Sequence, residues 1–216
     1  MGASTEDLFD ETMKTLQLSD SLFLLKGFAL KNEMNLLNAL QAILNVAPAR
    51  RMMTKMGFQM SAAITNCGAL GWVSDRSGYR YDAMNPETNA PWPAMPQSFL
   101  TLAENAANSA GFEHYLPDAC LINQYQVGAS MGLHQDKNEL DFSQPIVSVS
   151  LGIAATFLFG GLKRSDKTMK IPLMHGDVVV WGGADRLKFH GILPLKPAHH
   201  PTLGACRINL TFRQAG

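Results

Sequence analysis

The spacing of apolar and polar positions divides the chain into a helical part and a strand-rich part. From Asn32 the residues Leu36, Leu37, Leu40, Ile43 and Leu44 recur three and four apart, the period of a helix with one buried stripe, and Pro48 ends the run. A second stripe, Phe99, Leu102, Ala103, Ala106 and Ala107, predicts a helix over residues 97–111, closed by Gly111 and lined with alanines that permit close approach to a sheet. Residues 22–25 form an apolar run of strand length, whereas residues 1–20 are polar and acidic and are expected to be a flexible lead-in. Beyond residue 119 almost every segment reads as strand: 120–125, a stretch around His134, 146–151, 155–159, 170–173, 177–181 and 207–213, parted by Gly, Pro and Asp turns. Short strands at near-regular intervals predict a sandwich or jelly roll with its core at residues 146–151 and 178–181. Packed with the preceding helices, that gives an α+β chain.

Between the two helices the pattern is broken. Residues 50–81 are short strand-like pieces interrupted by Gly57, Gly68, Gly71 and Gly78, with Arg50, Arg51, Lys55, Arg76 and Arg80 set among Phe58, Trp72, Tyr79 and Tyr81. Bases beside aromatics suit a surface that touches a phosphate and stacks a nucleobase, and they equally suit a solvated β-hairpin with ordinary turn glycines. Residues 86–96, rich in proline, read as a loop.

The strand at residues 207–213 alternates without a break: Arg207, Asn209, Thr211 and Arg213 share one face, and Ile208, Leu210 and Phe212 share the other. Either the polar face is simply wet, or its two guanidinium forks grip a dicarboxylate, which they fit bidentately. Asn123-Gln124-Tyr125 likewise puts two hydrogen-bonding side chains on one face. In an extended segment His134 and Asp136, two apart, point the same way, and with a distant third ligand they would make the two-histidine, one-carboxylate triad of non-haem Fe(II). Alone, a His-x-Asp and a later His occur by chance, and a lone histidine serves as readily in a structural hydrogen bond.

Composition narrows the choices. The chain has 216 residues, 46% apolar and 17% charged, enough for one full core. A formal net charge of zero argues against gripping long duplex stretches and leaves room for a short contact around one nucleotide. Cys67, Cys120 and Cys206 are odd in number and lack C-x-x-C spacing, so neither a disulfide framework nor a zinc site is expected. With no apolar stretch near bilayer length and no signal-peptide pattern at the start, the expected setting is cytoplasmic, without membrane contact, and the expected form is monomeric.

Taken in order, Asn123-x-Tyr125, His134-x-Asp136, His190 and Arg207-x-Asn209-x-Thr211-x-Arg213 resemble the AlkB family of Fe(II)- and 2-oxoglutarate-dependent nucleic-acid dealkylases, in its bacterial DNA-repair type. The likeness runs from Thr65-Asn66-Cys67-Gly68 to the last residues and includes Pro91-Trp92-Pro93-Ala94-Met95-Pro96, Phe159-Gly160-Gly161-Leu162-Lys163-Arg164 and Gly176-Asp177-Val178-Val179-Val180-Trp181-Gly182-Gly183. The resemblance implies a single oxygenase domain over residues 21–216, with a nucleotide-recognition lid at about 50–90 and a double-stranded β-helix (jelly-roll) catalytic core at about 115–216. It implies Fe(II) on His134, Asp136 and His190, leaving His114, His175, His199 and His200 outside the metal site. It also implies 2-oxoglutarate held at its far carboxylate by Arg207 with Tyr125 and at its near end by Arg213, Asn209 and Asn123, with Thr211 on the same face, and O2 as the second cosubstrate.

The implied activity is oxidative demethylation of 1-methyladenine and 3-methylcytosine in single- or double-stranded DNA, with RNA as a further substrate. A cationic ring would stack between Trp72 and the His134 imidazole, Tyr79 would lie near the nucleotide backbone, and Asn138 and Glu139 would touch the base edge. Lys163, Arg164, Lys167 and Lys170 form a basic segment that reads as a solvated loop or as a phosphate contact, with Arg164 taken as substrate-binding. Similar bacterial proteins carry Asp-Glu where this chain has Asn138-Glu139, and the missing negative charge is expected to favour cytosine lesions or a relaxed range. Two other readings share these residues: an oxygenase that hydroxylates a protein or small molecule, and a non-catalytic jelly-roll binding module.

Overall fold

The computed structural model describes residues 14–216. Thr15–Ser19 (β1) and Leu22–Leu25 (β2) pair as a hairpin and lead into the helix Glu33–Val46 (α1). Then come Ala63–Gly68 (β3), Gly71–Asp75 (β4), Gly78–Asp82 (β5), Met84–Asn85 (β6) and Ala90–Pro91 (β7), followed by the helix Gln97–Ser109 (α2). The remaining strands are Ala119–Gln126 (β8), Met131–His134 (β9), Ile146–Gly152 (β10), Ala155–Phe159 (β11), Met169–Leu173 (β12), Val178–Trp181 (β13), His190–Ile192 (β14) and Cys206–Arg213 (β15).

Two antiparallel sheets make the jelly roll. The larger has the order β1-β2-β13-β10-β15-β8-β3 and the smaller the order β12-β11-β14-β9. Two expected boundaries change. Thr15–Ser19, assigned from composition to a loose lead-in, is the edge strand of the large sheet, paired with β2 from Thr15↔Leu25 to Ser19↔Leu22; the rest of that lead-in, residues 1–13, lies outside the described residues. Ala63–Gly68, expected within the lid, is the opposite edge of the same sheet, and the hairpins β4–β5 and β6–β7 form two small sheets of their own, the first packed through Val73 against Ile64 and Leu121.

The alternation in the sequence maps onto two apolar layers. Ile208, Leu210 and Phe212 of β15, Val147, Val149 and Leu151 of β10, and Val178 and Val180 of β13 face the helices, meeting Leu36, Leu40 and Ile43 of α1 and Phe99, Leu102 and Ala106 of α2. The other faces of β10 and β13, with Ile146, Val179 and Trp181, turn to the small sheet and meet Phe157, Phe159, Ile171 and Ile192. The polar face of β15 therefore does not meet water. Arg207, Asn209, Thr211 and Arg213 all lie buried on the inner side of the large sheet. Burying four polar side chains on one strand costs free energy unless each finds partners. Their partners define the site.

Candidate active site

His134 closes β9 and His190 opens β14, and the two are register partners in the small sheet. Beside them the backbones of β14 and β9 approach closely at Gly191, where a Cβ would sit 2.7 Å from the Met131 carbonyl oxygen. The imidazole centroids are 4.4 Å apart. Asp136 is not on the strand, which ends at His134, so strand parity is not what delivers its carboxylate. Arg213 delivers it instead, through Nη2 at 2.6 Å and Nε at 3.1 Å from Oδ2. The carboxylate oxygens then lie 3.6 Å from His134 Nε2 and 3.7 Å from His190 Nε2.

The hydrogen bonds of the rings fix their tautomers. His134 Nδ1 lies 2.9 Å from the Gly132 carbonyl and His190 Nδ1 lies 3.1 Å from the Lys188 carbonyl. A carbonyl only accepts, so each Nδ1 carries the proton and each Nε2 turns a lone pair toward Asp136, as a metal ligand must. Desolvation and the neighbouring His190 push the His134 pKa down to about 4, so the ring is neutral at pH 7. Burial by itself would raise the Asp136 pKa, but Arg213 and the two histidines hold the carboxyl well below its usual range. Two imidazole Nε2 atoms and one carboxylate form a donor set that suits Fe(II).

A second group of metal-capable side chains, Glu33, His175 and His200, has the opposite tautomers. His175 Nδ1 accepts the Gly152 N–H at 2.8 Å, and His200 Nδ1 accepts N–H groups of Thr202 and Leu203 at 3.3 Å. A neutral ring that accepts at Nδ1 is protonated at Nε2 and has no lone pair there for a cation. The cluster is a latch: His175 Nε2 faces Glu33 Oε1 at 3.2 Å, the rings stack at 4.2 Å, and α1 is tied to the turns ahead of β13 and β15.

Beside the triad opens a cavity of about 560 Å³. Its inner wall holds Arg207, 1% exposed, whose Nη2 donates to Ser150 Oγ at 3.0 Å and whose guanidinium lies 5.1 Å from the centre of the Tyr125 ring. Arg207 Nε and Nη1 and Asn123 Oδ1 have no partner among the described residues. A buried cation with two unpaired donors calls for an anion, and a carboxylate fits the fork. Asn209 donates to Ser148 Oγ at 2.8 Å and accepts from Thr211 Oγ1 at 2.9 Å, so these two fix the floor of the cavity. Arg213 also lines the cavity, but its Nε and Nη2 are engaged by Asp136.

At the mouth, Trp72 and Tyr79 stack on each other at 5.4 Å and 16°, so one face of the indole is already covered. Trp72 Nε1 points to Asn138 Oδ1 at 3.4 Å, and Asn138 and Arg164 line the cavity. Glu139 departs from expectation. It is buried behind the triad, hydrogen-bonded to Tyr81 and facing Arg186, and it does not line the cavity. Sequence reading also passed over Arg186, which donates to the Asp136 carbonyl at 2.8 Å, and Trp181 and Phe157, whose rings pack 5.0 Å and 5.9 Å from that of His190. An arginine in a short Gly-rich turn carries no local mark of burial. Trp181 was legible as core, though not as a wall of the site.

The profile of the 2OG-Fe(II) oxygenase superfamily matches residues 21–213. Over 199 residues the chain is 53% identical to alpha-ketoglutarate-dependent dioxygenase AlkB of Escherichia coli (strain K12), covering 92% of each protein. It is 51% identical over 210 residues to the protein of that name from Salmonella typhimurium, covering 97% of each. The solved structure of OsALKBH1 superposes with a TM-score of 0.81 at 28% identity, over 93% of this chain and 100% of that one.

Proposed function

The chain belongs to the AlkB family of the 2OG-Fe(II) oxygenase superfamily, and from that premise we propose that it reverses alkylation damage by oxidative demethylation of N-alkylated bases in DNA. It is a dioxygenase that uses Fe(II), 2-oxoglutarate and O2. The observation that carries the residue assignments is the pairing of two opposite needs in one cavity: three ligand atoms within 4.8 Å of one another, and a buried arginine whose Nε and Nη1 find no partner among the described residues.

His134, Asp136 and His190 would hold the iron, the histidines through Nε2 and the carboxylate under the grip of Arg213. Arg207, backed by Ser150 and Tyr125, would hold the far carboxylate of 2-oxoglutarate, with Asn123, Asn209 and Thr211 shaping the pocket between. When bound, iron and cosubstrate would supply the oxidation: O2 and 2-oxoglutarate yield CO2 and succinate while an N-methyl C–H bond becomes C–OH, and the N-hydroxymethyl product breaks down to formaldehyde and the repaired base within its strand. Trp181 and Phe157 pack around His190 and keep water from that side of the site. The mouth, with Trp72 and Tyr79 on one side and Arg164 on another, would receive a flipped base and its phosphate.

The reading extends to a cytoplasmic monomer acting on single- or double-stranded DNA and on RNA. Among the described residues no helix is long and apolar enough to cross a membrane. The test is to load the protein with Fe(II) and 2-oxoglutarate without oxygen, admit oxygen with a methylated oligonucleotide, and quantify succinate and formaldehyde together. Equal yields are expected, and Asp136→Ala is expected to abolish both products. Turnover stimulated by peptide pools and not by methylated DNA would replace dealkylation with hydroxylation of a protein.

A further inference from the structure

Glu139 follows Asp136 by three residues, yet its side chain is 2% exposed and both of its oxygens face protein groups. Oε1 accepts the Tyr81 hydroxyl at 2.6 Å and lies 3.3 Å from Arg213 Nε, while Oε2 lies 3.2 Å from Arg186 Nη2. The partners come from three separate parts of the fold. Tyr81 sits on β5 of the hairpin at the mouth, opposite Trp72. Arg213 ends β15 and grips Asp136 Oδ2 at 2.6 Å. Arg186 lies in the turn before β14, and it also donates to the backbone carbonyls of Asp136 at 2.8 Å and Gln144 at 3.0 Å.

A continuous path of polar contacts, Tyr81 to Glu139 to Arg213 to Asp136, thus runs from the hairpin to the triad. Among side-chain hydrogen bonds of the described residues, two join the hairpin to the loop that carries Asp136: this one and the longer Trp72–Asn138 contact at 3.4 Å. The hairpin's other side-chain ties lead elsewhere, from Trp72 to Asn66 on β3, from Ser74 to Met53 and from Asp82 to Trp92. A carboxylate set between two guanidinium groups in a dry interior has little freedom, because each contact is strong there and costly to leave unmade.

We propose that Glu139 is a positioning residue that couples the seating of the β4–β5 hairpin to the orientation of the Asp136 carboxylate, a proposal that rests on the reading of Asp136 as an iron ligand. Seating the hairpin brings the Tyr81 hydroxyl onto Glu139 and completes the set that holds Arg213, which in turn aims Asp136 between the histidines. Linkage makes the effect reciprocal, so a cation that fixes Asp136 favours the seated hairpin by the factor that seating adds to cation affinity.

Co(II), followed by its visible absorption, serves as the probe, and hydrogen exchange over residues 71–82 reports the hairpin. In the wild type, bound Co(II) is expected to slow exchange of the hairpin amides several-fold. In Tyr81→Phe, which removes one oxygen and keeps the ring, Co(II) is expected to bind several-fold more weakly and to leave hairpin exchange unchanged. Glu139→Gln keeps an acceptor for Tyr81 but loses the charge that holds Arg213, and the exchange response is expected to vanish there too. Co(II) bound to wild type without any slowing, or equal slowing in either variant, overturns the coupling and leaves the iron reading standing. A wild type that binds no Co(II) overturns both.

Discussion

Arg207 buries a guanidinium whose Nε and Nη1 have no partner among the described residues, so the ligand-free protein carries a cost that its cosubstrate would remove. Arg207→Met should therefore match or exceed the wild type in ligand-free thermal stability. It should also bind 2-oxoglutarate about 10–100-fold more weakly, the ~1.5–3 kcal/mol of a hydrogen bond to a charged group. Melting curves with and without 2-oxoglutarate check both halves, and a ligand-free variant several degrees less stable than wild type would contradict the reading. Asn138 gives a second residue-scale prediction. Asn138→Asp places a carboxylate at the cavity mouth and should raise formaldehyde release from 1-methyladenine relative to 3-methylcytosine by about five-fold, the ~1 kcal/mol between a neutral and a charged hydrogen bond. At this scale the order of residue types marked the triad and the arginine face, although the Asp136 carboxylate is set by Arg213 and not by strand spacing. Glu139 and Arg186 were illegible, because the partners that bury a charge lie far along the chain: Tyr81 is 58 residues from Glu139, and Arg186 is 47.

Among elements, the latch between α1 and the turns before β13 and β15 responds to acid in a definite direction. Desolvation and the nearby His200 depress the His175 pKa from 6.5, so the folded protein binds fewer protons here than the unfolded chain. Its contribution to stability is complete above the unfolded value and falls as pH drops through the folded one. His175→Gln, whose amide oxygen can still accept the Gly152 N–H, should flatten the decline of unfolding free energy just below neutrality. Urea titrations at stepped pH measure it, and parallel slopes for the two proteins would exclude His175 as the cause. Helices and strands were legible because their periods are local. Which side of a strand is wet was not: the polar residues of β15 look like a solvent face, yet they lie buried against Ser148, Ser150 and Asp136. Thr15–Ser19 misled for a related reason, since an edge strand with one covered side needs few apolar residues.

For the molecule as a whole, zero formal charge limits how many phosphates it can neutralise at once. Binding of a methylated single strand should lose affinity with salt at a slope near −2 in log–log form, about 0.7 for each of ~3 phosphate contacts. A fluorescence anisotropy series from low to high salt reads the slope, and one steeper than about −5 would mean a far longer electrostatic footprint. The jelly-roll architecture followed from strand spacing, whereas the division of labour between its sheets, small for the histidines and large for the arginines, emerged only in three dimensions. The order of strands in the large sheet also bears on synthesis. β15, the last strand in chain order, lies between β10 and β8, so a ribosome that has not reached residue 213 holds two separate flaps with raw edges. Such a nascent chain cannot complete its sheet as it emerges, and until β15 is free to insert it presents unpaired strand edges open to wrong pairing.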